Sequence, residues 1–322
     1  MKIAIISDVH GNYPALVNVV KDAKTNSVDK FIFIGDYIFD LPFSNEVTQL
    51  LMKIENSHII KGNKETYLNE LADDTLEKWK NKQFAGLIQT YNELAPDSIQ
   101  FLSSLEDELF IQINPSTSIF AAHIPTFVKQ LKKENASSST YRRKMYEKPF
   151  THDQFLQNFS DSINSDECKS YINKIDANIY LFGHNHLQCF GYCGDKLVVN
   201  PGSCGQPLDF NNNAAYTILE INGTDISVHE KRVPYNVELT INQARNSVLY
   251  EKAPTWSLVT FVSLKTGIDH FGIFFEIANQ IAVSKGEEEN VFSDSTWEEA
   301  SEEFVKKFAK QFPDILKGTK VL

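Results

Sequence analysis

No long apolar run opens the chain: the first, Ile3 to Ile6, ends at Asp8 and is too short for a signal-peptide core or a membrane span. The expectation is a cytoplasmic protein with no membrane partner. Cysteine is scarce. Cys168, Cys189, Cys193 and Cys204 form neither a dense disulfide framework nor a paired CxxC zinc spacing, so they read as reduced, structural side chains. Net positive charge is also lacking. A formal charge of −11 excludes a general nucleic-acid coat, because non-specific affinity for phosphate backbones comes from positive surface. It leaves room for a local phosphate site whose positive charge is supplied by bound metal cations. No internal repeat or sizeable low-complexity segment occurs, and 42% hydrophobic with 23% charged residues is ordinary globular composition.

The 322 residues that remain to be explained can bury a large core. Lys2 to Ser7 reads as a buried strand, Tyr13 to Ala23 as a helix with Pro14 in its first turn, Lys30 to Ile34 as a strand, Asn45 to Ile54 as a helix and His58 to Lys61 as a short strand. This is a β-α-β-α-β unit with buried strands. Helical sequence follows from about Thr66 to Leu105, then strands at Leu109 to Ile113 and Ser118 to Ala122, and helices at Asp153 to Phe159 and Asp166 to Ile175. Five further short strands, Ile179 to Phe182, Leu187 to Tyr192, Lys196 to Val199, Ala214 to Ile221 and Ile226 to Arg232, are separated by Gly and Asn turns. The fold class is α/β, a four-layer α/β/β/α sandwich of two mixed sheets flanked by helices. Residues 1–234 form the expected main domain, and 235–322 a helical C-terminal extension packed on it. In that extension Ser295-Thr296-Trp297-Glu298 fits a capping box, with Trp297, Phe304 and Phe308 on one helical face.

Five polar clusters stand just beyond apolar runs: Asp8-Val9-His10-Gly11-Asn12, Gly35-Asp36, Gly62-Asn63-Lys64-Glu65, His123 and Gly183-His184-Asn185-His186. Strand ends on one edge of a sheet bring residues distant in sequence to a common rim, so Asp8, His10, Asp36, Asn63, His123, His184 and His186 can converge. Carboxylate, amide and imidazole donors without thiolate suit Mn, Fe or Zn. Each residue also has a plainer reading: Asn63 as a turn residue, Asp36 as a helix cap, a lone His123 as a core histidine. Spaced His and Asp at several strand ends share no packing reason, and that favours the metal site. The remaining histidines, His58, His152, His229 and His270, read as structural.

The motifs DVHGN, GDY, GNKE, a lone His after a strand, and GHNH together resemble those of the calcineurin-like metallophosphoesterases over roughly Met1 to Arg232. Within that family Asn200-Pro201-Gly202-Ser203-Cys204-Gly205-Gln206-Pro207 is similar to a run in small bacterial phosphodiesterases and asymmetric diadenosine tetraphosphate hydrolases. The resemblance implies a double β-sandwich and two divalent ions, manganese foremost, with Asp8, His10 and His186 on one, Asn63, His123 and His184 on the other, and Asp36 bridging. It implies in-line attack by a bridging hydroxide on a phosphodiester or phosphoanhydride, including dinucleoside polyphosphates, while Asn63 stabilises charge on phosphoryl oxygens. Asn12, Gly202 and Ser203 are expected at the substrate, although Gly202 and Ser203 read equally well as a turn supporting His184 and His186.

One departure stands out. Where many family members carry a histidine proposed to protonate the leaving group, this chain has Lys64. A lysine with an ordinary pKa of about 10.4 is a poor acid at neutral pH unless its surroundings lower it. The stretch from Lys129 to Lys148 carries seven basic and two acidic residues in an otherwise acidic chain. Such a run is most often a solvated loop. The functional alternative has Lys132, Lys133, Arg142 and Arg143 holding remote phosphates, with Tyr141 or Tyr146 stacking on a base. Two rival functions remain in view: a phosphomonoesterase or protein phosphatase, which Lys64 disfavours, and a vestigial protein-binding scaffold, for which broken ligands would be expected.

Overall fold

The computed structural model of the protein describes residues 1–72, 77–124, 152–287 and 291–316. The basic stretch from Lys129 to Lys148, with Arg142 and Arg143, lies outside the described residues. Two five-stranded sheets form the centre. The first has the order β10-β9-β1-β2-β3, with β1 (Lys2–Ile6), β2 (Lys30–Ile34) and β3 (Ser57–Ile60) parallel, β9 (Ala214–Asn222) antiparallel to β1, and β10 (Asp225–Val233) antiparallel to β9 at the edge. The second has the order β4-β5-β6-β8-β7, with β5 (Thr117–Ala122), β6 (Ile179–Leu181) and β8 (Lys196–Pro201) parallel, and β4 (Glu108–Asn114) and β7 (Gln188–Cys193) as antiparallel edges.

Side-chain alternation along the strands makes the layers. Ile3, Ile5, Ile32 and Ile34 of the first sheet meet Ile119, Ala121, Ile179, Leu181 and Val199 of the second in one core between the sheets. Ala4, Ile6, Phe31 and Phe33 face the other way, onto the helices α1 (Tyr13–Thr25) and α2 (Ser44–Leu51). Phe120, Tyr180 and Val198 on the far side of the second sheet pack on α6 (His152–Ile163) and α7 (Asp166–Ile172). The result is the expected four-layer sandwich. Helices α3 (Asn63–Ala72), α4 (Ala85–Glu93) and α5 (Pro96–Ser103) lie between the third and fourth strands in sequence. All four cysteines are buried and free, and no helix among the described residues is long and apolar enough to cross a membrane.

After β10 come α8 (Val237–Ala244), α9 (Val248–Lys252), α10 (Pro254–Thr266), α11 (His270–Lys285), α12 (Asp294–Phe308) and α13 (Pro313–Leu316). Their aromatic side chains build a separate core in which Phe274, Phe292, Trp297, Phe304 and Phe308 are buried together with Leu41 of the sandwich. His270 is buried there, edge-on to Phe304, Phe308 and Phe312, in the structural place expected of it. The cap of α12 differs from the expected box at Ser295. Ser293 is the N-cap, accepting from the Thr296 N–H at 3.2 Å, and Glu287 accepts from the hydroxyls of Ser293 and Thr296. A distant carboxylate takes the place of the local N3 glutamate on which the sequence pattern relied.

Candidate metal centre

β1, β2 and β3 run parallel, as do β5, β6 and β8, so the segments leaving their carboxyl ends gather on one rim of the sandwich. The loop after β1 is tied to the loop after β2 by backbone bonds from Asp8 N to Gly35 O (3.0 Å), Val9 N to Asp36 O (2.8 Å) and His10 N to Asp36 O (3.0 Å). The loops of the second sheet join through Gly183 N to His123 O (3.1 Å) and His184 N to the Asp8 carboxylate (3.1 and 3.2 Å). Close approach excludes side chains at two glycines. A Cβ at Gly62 would collide with Asp36 Oδ1, and one at Gly183 with Ser7 Oγ. Asp8, His10, Asp36, His184 and His186 all have left-handed backbone, with φ between 50° and 70°. Such conformations are costly for side chains of this size and persist where the surroundings impose them, typically at functional sites.

The seven expected ligands come together in two groups. Asp8, His10 and His186 offer donor atoms within 4.8 Å of one another, as do Asp36, His123 and His184. Asp36 lies between the groups, with Oδ1 3.4 Å from His123 Nε2 and Oδ2 3.7 Å from His10 Nε2. Asn63, the first residue of α3, places Oδ1 3.2 Å from His123 Nε2 and 3.1 Å from His184 Nδ1, so the second group gains an amide oxygen.

Ring orientation is fixed from outside. Nδ1 of His123 faces the Ile34 carbonyl at 2.6 Å, Nδ1 of His186 the Gln206 carbonyl at 2.7 Å, and Nδ1 of His10 lies 2.6 Å from Asp40 Oδ2. Each contact turns Nε2 toward the cluster, the arrangement a metal-binding imidazole requires. The donor set is hard to borderline and holds no thiolate, which fits divalent ions such as Mn, Fe or Zn.

The electrostatics call for positive charge. Burial would raise the Asp8 carboxyl, but His186, His10 and His123 outweigh it and hold it well below the usual range. Burial opposes a charge on His10 and His123, yet Asp40 lifts the first to about 10 and Asp36 the second to about 9. Burial and then the His123 charge push His184 down to about 3. Lys64 does not become the acid that a lowered pKa would have made it. Burial is outweighed by Asp40 and Asp36, and its pKa is raised. Its ammonium lies 5.3 Å from the Phe39 ring centroid and 5.9 Å from that of Tyr67.

Three residues expected at the substrate are bonded to the loops around the site. Asn12 is fully buried and caps α1, accepting from Ala15 N and donating to Gly205 O and Tyr235 Oη. Ser203, equally buried, donates to Asp8 O at 2.7 Å and accepts from Gln206 N at 2.8 Å. Gly202 donates to Asn200 Oδ1, and a Cβ there would collide with Ala215 and Gln188. All three hold the loops that carry ligands. Conversely, the sequence reading gave no role to Glu65 or Asp40. The buried Glu65 carboxylate accepts from Gly62 N (2.7 Å), Asp36 N (2.9 Å) and Tyr37 N (2.8 Å) and so clamps two ligand loops together. Its place in GNKE was the available signal. A cavity of about 270 Å³ opens beside the second group, lined by Asn63, His123, Thr66, Tyr67, Lys61 and Glu108 among others.

Comparison with known proteins bears on the family and the fold. The sequence model of the calcineurin-like phosphoesterase superfamily domain matches residues 1–224. An uncharacterized protein of Methanocaldococcus jannaschii is 25% identical over 259 residues, 79% of this chain and 94% of that protein. The crystal structure of a metallophosphoesterase from Sphaerobacter thermophilus is similar with a TM-score of 0.58 and 21% identity, covering 83% of this chain and 99% of that one. A hypothetical protein from Pyrococcus horikoshii OT3 is similar with a TM-score of 0.53 and 16% identity, covering 79% and 97%. These two likenesses speak to the fold.

Proposed function

Because the chain belongs to the calcineurin-like phosphoesterase superfamily, we propose that it is a binuclear metal-dependent hydrolase of phosphodiester or phosphoanhydride bonds, with dinucleoside polyphosphates within its range. The observation that carries this reading is the position of Asp36, one carboxylate oxygen toward each of two groups of ligand atoms. Asp8, His10 and His186 would hold one ion, Asn63, His123 and His184 the other, and Asp36 both. Two such ions would supply a nucleophilic water of lowered pKa and positive charge for the phosphoryl oxygens.

The chain's own groups then orient the substrate. Asn63 directs Oδ1 to the two histidines, which leaves its Nδ2 to donate to a phosphoryl oxygen as charge builds there. Lys64 stays a cation beside the site and attracts phosphate without giving up a proton. The cavity beside Asn63 and His123 admits the group on one side of the scissile phosphate. In the same proposal Arg142 and Arg143 reach remote phosphates of a larger substrate. A vestigial scaffold is disfavoured because no ligand of the set is broken.

The deciding experiment is a screen of the manganese-loaded protein against diadenosine polyphosphates, cyclic nucleotides, aryl diesters and aryl monoesters. Turnover of the anhydrides and diesters above the monoesters is expected. Preference for monoesters would make the protein a phosphomonoesterase, and no turnover with manganese, iron or zinc would make it a scaffold.

A further inference from the structure

His10 differs from the other ligand histidines in what stands behind it. His123 and His186 lean on backbone carbonyls of the sandwich itself, Ile34 and Gln206. Nδ1 of His10 instead meets a buried carboxylate, Asp40 Oδ2, at 2.6 Å. Asp40 sits on the loop after β2 in left-handed backbone, φ 67°, and the next residue returns a bond to the first loop, Leu41 N to His10 O at 3.2 Å. Its other oxygen, Oδ1, accepts from the Trp256 indole N–H at 2.6 Å. Trp256 belongs to α10, 216 residues further along the chain. The indole is gripped by aromatic neighbours, Phe39 at 4.9 Å and Phe271 at 4.5 Å between ring centroids, with Trp297 stacked at 6.3 Å.

A carboxylate behind an imidazole fixes the ring and raises its strength as a ligand more than a carbonyl does. A buried carboxylate holds one rotamer only if both oxygens are satisfied. We propose that Asp40 and Trp256 are a positioning pair for the ligand His10, so that the C-terminal helices form part of the metal centre. The inference rests on the two-metal reading above. It also assigns those helices a role the sandwich cannot supply, since nothing else among the described residues donates a hydrogen bond to Asp40 Oδ1.

The test compares the wild type with Asp40→Asn, which tolerates left-handed backbone, and Trp256→Phe, which keeps an aromatic ring in the cluster and removes the N–H. Two readouts apply: calorimetric titration with Mn(II), and the visible absorption of the Co(II)-loaded protein, which reports ligand geometry without turnover. Asp40→Asn should weaken one of the two ions by roughly 10- to 100-fold. Trp256→Phe should weaken the same ion, the one whose affinity His123→Ala spares, and alter the Co(II) spectrum in the same sense. If wild type binds two ions and both variants keep its affinities and spectrum, Asp40 and Trp256 only pack and the inference is overturned alone. If wild type binds no ion, the two-metal reading falls and the inference with it. Should Trp256→Phe fail to fold, Asp40→Asn decides by the same criteria.

Discussion

Nε2 of His10 and Nε2 of His186 stand 3.1 Å apart in a buried site, while both Nδ1 atoms are directed elsewhere, to Asp40 and to the Gln206 carbonyl. With a proton on one of them the two nitrogens form an N–H···N hydrogen bond; with that proton displaced, both lone pairs face one point, as two ligands of a single ion would. Asp8 Oδ1, 3.3 Å from His186 Nε2 and 3.8 Å from His10 Nε2, completes a triangle around the same point. Three donor atoms around one buried point are an arrangement that could hold a metal ion.

Elemental analysis after reconstitution should find close to two divalent ions per chain. Asp36→Asn should weaken both, because its two oxygens face different ligand groups, whereas His123→Ala should weaken mainly one. Full activity with one ion or fewer would contradict the bridging assignment, as would equal, mild effects of the two substitutions.

Turnover should fall steeply as the leaving group becomes more basic, because Lys64 is held as a cation by Asp40 and Asp36. Anhydrides and aryl esters need little protonation, while an alkoxide lacking an acid loses on the order of 10² to 10⁴ in rate. Lys64→His should rescue alkyl esters selectively and leave aryl-diester turnover nearly unchanged. Similar wild-type rates on alkyl and aryl esters, together with loss of both in Lys64→Ala, would make Lys64 an acid or an essential phosphate ligand.

Glu65→Gln should cost about 2 to 3 kcal/mol of stability, since an amide cannot present acceptors to all three of the N–H groups of Gly62, Asp36 and Tyr37. The loss is read from urea unfolding of the metal-free protein. Metal affinity should fall in parallel, because the clamp carries both Asp36 and the start of α3. Wild-type stability in this variant would mean that the three bonds contribute little.

Stability should decline as pH falls below about 6.5, the ordinary histidine value, through His270. Burial lowers its pKa in the folded chain, against a smaller upward pull from the Ile268 carbonyl and Asp269. The unfolded chain therefore takes up a proton first, and the loss continues until the folded value is reached, by about 1.4 kcal/mol for each unit of depression. His270→Gln should flatten the difference in unfolding midpoint between pH 7.5 and pH 5.5. An unchanged slope in that variant would assign the acid sensitivity to other groups.

The convergence of the candidate ligands was legible because each obeys a local rule. An apolar strand of four to six residues such as Lys2–Ile6 or Thr117–Ala122 must end at a rim, and a polar residue just beyond it has nowhere else to be. Parallel neighbours then put all such ends on one side, so Asp8, Asp36, Asn63, His123 and His184 could be grouped without coordinates. Asn12 stands in one of those polar clusters and Ser203 in the Asn200 to Pro207 run, and nothing local distinguishes a residue that faces the cavity from one that ties loops together.

The C-terminal helices show where that reach stops. In α10 Thr255 and every residue from Ser257 to Leu264 are buried, so the sequence has no polar face to say which side meets the sandwich. The cap of α12 could not be placed either, since Glu287 and not a neighbour in the turn satisfies Ser293 and Thr296. By itself the sequence determined the sheets, the rim and which polar residues gather there, because strand periodicity and chain polarity are properties of consecutive residues. The tertiary structure alone decided that Trp256 reaches Asp40 and that Asp40 stands behind His10, because a contact across 216 residues follows from how buried surfaces fit together and leaves no period in the sequence.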